Sequence, residues 1–345
     1  MKQATVIRIL IVALPAGLLL LGIGAMLKTH MSSSEKPFDP NEDIRLEAAS
    51  LNRKPVNRAD LESYLETLSG RIGERNVGVP DRLESAAVWI ESTLGGGNIG
   101  YKVERQTYET QGVEVRNLIA ELPGRALRDE IVVVGAHYDT VPGCPGANDN
   151  GTGIAGVLAL AQAFAGDPQA RTIRFVAFVN EEPPFFHTDQ MGSYVYAKRC
   201  QSLDEKIVAM ISLETIGYFS DEPGSQEYPA GLAGQYPSEG NFLALVGNQA
   251  SRYIVDSAEA AFSGAVDLPV VAGAFPGEVP GVAWSDHWSF WQAGYPAIMI
   301  TDTAPFRYPH YHQPTDTVDK IDLDRFTEAV KGLEAVVRTW AGGGG

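Results

Sequence analysis

Cysteine is scarce in this chain: only Cys144 and Cys200 occur among 345 residues. A small disulfide-stabilised scaffold or a zinc site built from thiolates needs more sulfur than this. The two thiols could pair in an oxidising compartment or remain unpaired, and the sequence favours neither outcome. No His/Asn arrangement around Cys144 would activate it as a nucleophile.

Positive charge is also scarce, because 27 lysines and arginines face 43 aspartates and glutamates, which gives a net charge of -16. Such an acidic chain is not expected to bind nucleic acid or an anionic membrane surface. The Gly-Lys-[Ser/Thr] element of a phosphate-binding loop is missing as well. Nothing in the composition indicates an oligomeric state.

The longest apolar run lies at the start of the chain. Residues 9–27 are uncharged, follow Lys2 and Arg8, and have about the length that spans a bilayer. We interpret residues 1–28 as a signal anchor, with a cleaved signal peptide as the alternative. Residues 29–57 are polar and contain prolines, which is typical of a linker. The remaining chain is then expected to be extracytoplasmic, either periplasmic or secreted, and tethered to the membrane if residues 9–27 are retained.

From residue 58 onward, segments with strand patterns alternate with segments with helix patterns. This order predicts an α/β fold with a mostly parallel, mixed central β-sheet and helices on both faces. The predicted strands are 101–107 and 113–122, an antiparallel pair, then 131–136, 172–179, 207–213, 242–246 and 296–301. The predicted helices are 59–68, 83–94, 154–164, 194–198, 252–262 and 322–340.

Residues that can bind a metal follow four of the predicted strands. A single His or Glu at a strand end is usually only solvated, but four such ends meet at one edge of a parallel sheet. Imidazole and carboxylate without thiolate suit catalytic zinc or a related divalent ion. In chain order the residues are His137 and Asp139, Asp149 at the start of the next helix, Glu181 and Glu182, Glu214, and Tyr311 and His312.

Six segments then carry a resemblance to a known family. GAHYDT, PGANDNGTG, VNEE, SLETIGY, WSDHWSFWQAGYPAIMIT and YHQPTDT, in this order, resemble the co-catalytic zinc aminopeptidases, a family that contains glutamate carboxypeptidase and is related to glutaminyl cyclase. The likeness covers about residues 110–340, within a predicted catalytic domain at 58–341. It implies the fold of zinc-dependent exopeptidases, peptide substrates and two zinc ions.

The resemblance also implies a role for each site residue. Asp149 would bridge the two ions, and Glu181 would be the general base that takes a proton from the attacking water. A strained, cis peptide bond is implied after Asp149. The remaining ligands would be His137 and Glu214 for one ion, and Glu182 and His312 for the other.

Groups around the ligands are expected to support them. Tyr311 could donate a hydrogen bond to the tetrahedral oxyanion, as in similar enzymes. Asp139 is the natural partner for His137, because ligating imidazoles are usually held by a second group. His310 competes for the ligand role of its neighbour, but the Tyr-His-x-Pro pattern favours His312. The carboxylates expected to steady His312 and its loop are Asp286 and Asp316.

Glu214 departs from the family pattern, in which aspartate is usual at this position. The same position helps to recognise the free amine of the substrate, so the change leaves the preferred terminus open. An aminopeptidase is the first interpretation, and a carboxypeptidase or dipeptidase of the same family is the alternative. Two alternatives belong to other functional classes. One is a glutaminyl-cyclase-like transferase with one zinc ion, and the other is a non-catalytic receptor-like homologue.

Overall fold

The computed structural model describes residues 51–343. The predicted signal anchor at 1–28 and the greater part of the predicted linker at 29–57 lie outside the described residues. Within 51–343, no helix combines the length and the hydrophobicity needed to cross a membrane.

One eight-stranded sheet runs through the described chain. Its strands are β1 (Val103–Thr110), β2 (Val113–Leu122), β3 (Leu127–His137), β4 (Arg171–Phe178), β5 (Lys206–Glu214), β6 (Leu243–Gly247), β7 (Val270–Ala274) and β8 (Ala297–Thr301). They lie side by side in the order β1-β2-β4-β3-β5-β8-β6-β7. The pairs β4-β3, β3-β5, β5-β8 and β6-β7 are parallel, and the pairs β1-β2, β2-β4 and β8-β6 are antiparallel. The predicted mixed, mostly parallel sheet is therefore confirmed.

Seven α-helices are present within residues 51–343. They are α1 (Arg58–Leu65), α2 (Pro80–Leu94), α3 (Gly153–Phe164), α4 (Gly192–Ser202), α5 (Arg252–Ser263), α6 (His287–Gln292) and α7 (Leu323–Ala341). Five of them, α1, α2, α3, α5 and α7, enclose the larger apolar core, and α4 and α6 enclose a smaller core on the opposite face. Helices therefore lie on both faces of the sheet, as the sequence predicts.

Strand β3 shows how the sequence divides between these two cores. Val132 and Val134 belong to the larger core, whereas Ile131 and Val133 belong to the smaller one. Successive side chains of a strand point to opposite faces of the sheet. A continuous β-branched run is therefore required where helices cover both faces, and this run fixes β3 at the centre of the sheet.

One strand was not predicted from the sequence. Strand β7, Val270–Ala274, is short, contains Gly273 and pairs only with β6. Over β6, β7 and the carboxyl end of β8, the described residues that cover the face opposite the larger core belong to loops, whereas α6 packs against the start of β8. This gap in the helical layer leaves room for a cavity beside the carboxyl ends of the parallel strands.

Candidate metal centre

The predicted site residues come together at the carboxyl edge of the parallel strands. His137 is the last residue of β3, and Glu214 is the last residue of β5. Glu181 and Glu182 follow β4, and His312 lies in the loop after β8. All of them are buried except His312, whose side chain is 32% exposed.

Asp149 lies between the two imidazoles. Its Oδ1 atom is 3.5 Å from Nε2 of His137, and its Oδ2 atom is 3.1 Å from Nε2 of His312. Each oxygen of one carboxylate therefore faces a different imidazole. A carboxylate in this position can bridge two cations.

Glu214 and Glu182 complete two groups of side chains around Asp149. Oε2 of Glu214 is 3.3 Å from Nε2 of His137, and Oε2 of Glu182 is 3.4 Å from Nε2 of His312. In each group, one ligand atom from every residue lies within 4.8 Å of the others. Asp149 is common to both groups, so the geometry has two candidate ion positions that share one ligand.

The spacing of the donor atoms fits divalent metal ions. Around a tetrahedral zinc ion with bonds of about 2.0–2.2 Å, neighbouring ligand atoms lie about 3.3–3.6 Å apart. The 3.1–3.5 Å separations around Asp149 are close to this spacing.

The same atoms lack hydrogen bonds. Buried polar atoms in proteins normally have hydrogen-bond partners. Among the described residues, the buried atoms without such a partner include Nε2 of His137, Nε2 of His312, both carboxylate oxygens of Asp149 and Oε1 of Glu182.

The protonation of these groups reflects their crowding. Burial and the nearby charge of Asp149 together raise the pKa of Glu182 to about 7. Burial acts against the charged form of His312, but the adjacent carboxylates of Asp149 and Glu182 raise the pKa of this imidazole to about 10. Crowding therefore favours the protonated forms of Glu182 and His312 when no cation is bound. Metal ligation needs the deprotonated forms, so metal binding at neutral pH is expected to release protons.

Glu181 and Glu182 are adjacent in sequence, yet both enter the centre. Asn180 has a φ of 59°, and this left-handed residue turns the chain directly after β4. Oε2 of Glu181 is 3.9 Å from Nε2 of His137. Burial, followed by the charge of Glu182, raises the pKa of Glu181 well above its usual value. A carboxyl group with a raised pKa is suited to accept and return a proton.

Asp139 lies against His137, as predicted from the sequence, and has a second role that was not predicted. Its Oδ1 and Oδ2 atoms accept hydrogen bonds from the backbone N–H groups of Glu181 and Glu182, each at 3.1 Å. Nδ1 of His137 is 3.2 Å from the backbone oxygen of Asp139 and 3.5 Å from its carboxylate. Asp139 therefore fixes the turn that carries both glutamates, in addition to contacting the imidazole.

The segment around Asp149 is tied to the neighbouring elements. The side chain of Asn150 donates to the Leu213 carbonyl at 2.7 Å and accepts from the N–H of Thr215 at 3.1 Å, on either side of Glu214. The peptide bond between Asp149 and Asn150 is cis, as the family resemblance implies. These contacts couple the position of the shared carboxylate to the end of β5.

Asp316 links the two halves of the centre, as expected for a carboxylate in the His312 loop. Its Oδ1 atom accepts from the N–H of Asn148 at 2.9 Å and from the Tyr308 hydroxyl at 2.7 Å. Its Oδ2 atom accepts from the N–H of Asp149 at 3.1 Å. The loop that carries His312 is thereby attached to the segment that carries Asp149.

Asp286 is buried, and its neighbour Ser285 donates to Oε2 of Glu214 at 2.8 Å. Burial raises the pKa of Asp286 to about 7, and His137, Glu214 and Asp139 are among the charged groups that act on it. The WSDHW segment therefore supports Glu214. Support of His312 by Asp286 stays a prediction.

The structure also gives the surroundings of Tyr311, His310 and the two cysteines. The ring of Tyr311 stacks on His312 with centroids 3.8 Å apart, and burial raises the pKa of its phenol well above the usual value, so that it stays a hydrogen-bond donor. His310 interacts with Thr315 at 2.9 Å on the surface and belongs to neither ligand group. Cys144 and Cys200 are buried and unpaired.

An apolar cavity opens beside Glu214 and Tyr311. Its floor follows from strand alternation: Leu243 and Leu245 of β6 enter the larger core, so Ala244 and Val246 face the opposite side. The enclosed space, including the open mouth, is about 810 Å³. Val271, Met299 and Thr301 complete the floor, and the walls include Tyr228, Tyr236, Phe242, Phe275, Trp284 and Phe306.

The cavity has no cationic side chain. Among the described residues that line it, the charged ones are the acids Glu214 and Glu227, and no lysine or arginine is present. The side chain of Trp284, 43% exposed, stacks on Phe306 with centroids 6.4 Å apart. The space next to the metal centre is thus aromatic, with acidic groups at its boundary.

Comparison with known proteins identifies the family. The family model for peptidase family M28 matches residues 117–337, which is more than half of the chain. The chain belongs to peptidase family M28. It is accordingly a metallopeptidase, a hydrolase whose polar centre lies within the matched segment.

Individual relatives agree with this assignment. The chain is 36% identical over 282 residues to the "Uncharacterized protein YfbL" of Escherichia coli K12, covering 79% of this chain and 85% of that protein. It is 28% identical over 295 residues to aminopeptidase YwaD of Bacillus subtilis, covering 81% of this chain and 55% of that protein. The solved aminopeptidase from Aneurinibacillus sp. strain AM-1 matches with a TM-score of 0.51 and 27% identity, over 66% of this chain and 48% of that one. The chain therefore spans only about half the length of these two aminopeptidases.

Replacement of Asp149 by alanine is expected to abolish binding of both ions, because this side chain offers one oxygen to each ligand group. The measurement is the metal content of the purified full chain after equilibration with zinc. Asp302→Asn is the matched control, since Asp302 is also buried at this edge but belongs to neither group. Retention of one tightly bound ion by Asp149→Ala would show that Asp149 is not shared.

Proposed function

We propose that the protein is a zinc aminopeptidase with two zinc ions in its active site. His137 and Glu214 would hold one ion, Glu182 and His312 the other, and Asp149 would bridge them. The observation that carries this proposal is the pair of ligand groups around a single buried carboxylate. Its matches among aminopeptidases, such as YwaD, support the same activity.

The side chains of the centre have different roles in hydrolysis. Two zinc ions held here would lower the pKa of the attacking water and polarise the scissile carbonyl. Glu181 accepts the proton of that water and transfers it to the leaving amine. Tyr311 donates a hydrogen bond to the oxygen on which negative charge develops. The buried position of Glu181 and the protonated state of the Tyr311 phenol suit them to these roles.

The charge of the cavity favours an amino-terminal rather than a carboxyl-terminal substrate. A peptide that binds with its first residue in the cavity brings an ammonium group close to Glu214. A carboxylate terminus would instead need a cationic partner, and the described lining residues offer none. Glutamate at position 214 lies within 3.3 Å of His137 and thus still reaches the centre despite its longer side chain.

The shape of the cavity favours peptides whose first side chain is large and apolar. Small residues on the floor, Ala244 and Val246, provide depth, and aromatic rings form the walls. Burial of an aromatic side chain in such a cavity is favourable by about 25 cal/mol per Å² of apolar surface. We therefore expect Phe and Leu to be preferred over Gly and Ala at the amino terminus.

The location of the enzyme is also a proposal. Residues 9–27 would tether it to the membrane, so that peptide hydrolysis takes place outside the cytoplasm. Fractionation of cells that express the full chain tests this idea, with a deletion of residues 1–28 as the matched control. Recovery of the full chain in the cytoplasmic fraction would contradict it.

The first experiment combines metal stoichiometry with a panel of peptides that have a free or a blocked terminus. We expect close to two zinc ions per chain and cleavage only of peptides with a free amino terminus. Cleavage that requires a free carboxylate would reverse the proposed polarity. One ion together with cyclisation of amino-terminal glutamine would assign the chain to transferase chemistry, and no bound zinc would overturn the proposal.

Glu181→Gln is expected to keep both zinc ions and to lower kcat by at least ~10²-fold, because general-base catalysis typically contributes that much. Steady-state kinetics and metal analysis on the same preparation measure the two effects. Glu182→Gln is the matched neighbour, and it should lose zinc affinity instead. If Glu181→Gln binds both zinc ions and keeps wild-type turnover, Glu181 is not the general base.

Ala244→Leu is expected to fill the floor of the cavity and change the substrate preference. The ratio of kcat/KM for phenylalanyl over alanyl substrates should fall about 10–100-fold, in line with the 1–3 kcal/mol that small changes in an apolar pocket produce. The alanyl substrate serves as the internal control for folding and metal loading. An unchanged ratio would place the first side chain of the substrate outside this cavity.

A further inference from the structure

Arg75 is a fully buried cation next to the metal centre, although it lies outside the segment that the family model matches. It comes from the chain between α1 and α2, about sixty residues before His137. Burial of a guanidinium group is costly unless its donors are satisfied. The contacts of Arg75 therefore indicate what it contributes to the fold or to the site.

The guanidinium group of Arg75 bonds to backbone carbonyls at both ends of one loop. Its Nε atom donates to the carbonyl of Tyr138 at 2.6 Å. Its Nη1 atom donates to Pro145 at 2.7 Å, and its Nη2 atom to Gly146 at 2.9 Å. A further bond from Nη1 to Gly73, at 3.1 Å, holds the guanidinium on its own segment.

The two ends of this loop carry metal-site residues. Tyr138 directly follows His137, and Gly146 stands three residues before Asp149. The loop in between is also attached to the backbone of Arg75, through a bond from its N–H to the Thr140 hydroxyl and one from the Thr140 N–H to its carbonyl. The loop between the two ligands is therefore attached to Arg75 through both its side chain and its backbone.

Gly146 shows how closely the chain approaches this side chain. Its φ is 62°, and a Cβ atom there would lie 2.4 Å from the Asp149 carbonyl oxygen and 3.1 Å from Nη2 of Arg75. The Gly146 carbonyl also accepts from the Ser69 hydroxyl at 2.8 Å. This crowding leaves the turn before Asp149 little freedom to move relative to Arg75.

The charge of Arg75 is retained in this position. Burial lowers the pKa of Arg75, and the negative charges of Asp316, Asp139 and Asp149 partly offset this effect. The resulting pKa is about 10. The group is thus protonated at neutral pH. Its described hydrogen bonds go to carbonyl groups and not to these carboxylates, which leaves the carboxylates available to the centre.

We propose that Arg75 is a positioning residue of the metal centre. By joining both ends of the loop from Tyr138 to Gly146, it sets the separation between His137 and Asp149 and so fixes the shared ligand. The planar fork of arginine makes several bonds in fixed directions, which lysine cannot reproduce. The inference rests on the metal centre proposed above.

The test compares Arg75→Met and Arg75→Lys with the wild type in the full-length chain. The readouts are zinc dissociation constants from chelator competition, thermal unfolding with and without zinc, and kcat and KM. Arg171→Gln is the matched control, because Arg171 bonds to Glu130 and to the Trp340 carbonyl at the start of β4, away from the centre.

We expect both Arg75 variants to weaken zinc binding about 10–100-fold, the range typical of groups that orient metal ligands. The loss in activity should appear mainly in kcat, and the stabilisation of the chain by zinc should shrink. The control should lose stability without losing zinc affinity. Wild-type zinc affinity in Arg75→Met, or full recovery in Arg75→Lys, would overturn the positioning role. Absence of zinc from the wild type would instead overturn the metal centre itself.

Ser69→Ala gives a milder test if the Arg75 variants do not fold. It removes one hydrogen bond to the Gly146 carbonyl and leaves Arg75 in place. A smaller loss of zinc affinity in the same direction supports the inference, since the same turn is loosened. Unchanged zinc affinity in Ser69→Ala, with its stability lowered, would show that the position of this turn does not control the metal centre.

Discussion

The structure depends on a concentration of buried carboxylates at one edge of the sheet. Asp149, Glu181, Glu182 and Glu214 are all buried within reach of two imidazoles. Burial disfavours their charged forms, and mutual repulsion adds to this effect, so the pKa of each glutamate is raised. Such a cluster is stable only with cations or protons among its members. Strong coupling between metal binding and protonation is therefore expected of this fold, whichever peptide the enzyme cleaves.

The supporting contacts follow from the same constraint. Carboxylates that repel one another must be held by bonds that do not neutralise them, and backbone groups provide such bonds. Asp139 accepts the N–H groups of Glu181 and Glu182, and Asp316 accepts that of Asp149. Arg75 supplies the complementary contact, a cation that bonds to carbonyls. The centre is thus positioned largely through the main chain of its loops, which leaves Nε2 of both imidazoles and both oxygens of Asp149 without hydrogen-bond partners.

The sequence predicted the parts of this arrangement that depend on local order. A buried strand followed by a polar residue is visible in a short window, and the parallel topology brings such residues to one edge. Candidate metal-binding residues could therefore be collected before the fold was known, and the family resemblance implied the role of each. Strand β7 was missed because five residues with one glycine carry little periodicity. Arg75 was missed because its partners lie more than sixty residues away and are backbone atoms, which leave no mark on side-chain patterns. Asp286 was assigned to His312 from its sequence context, and the contact of its neighbour Ser285 with Glu214 was not predicted.

The cavity shows how one fold combines a rigid centre with a variable specificity site. Helices cover both faces of the strands that carry the metal-site residues, and this double layer keeps their ends in register. Over β6, β7 and the carboxyl end of β8 the second layer consists of loops, so the same sheet offers an open apolar floor next to Glu214. Loop residues such as Tyr228 and Trp284 can change without disturbing the ligands, because they line the cavity rather than the core. In the proposed aminopeptidase, changes in these walls would alter the preferred amino-terminal residue, whereas the separation of His137 and Asp149 would be kept by Arg75 and the buried turn at Gly146.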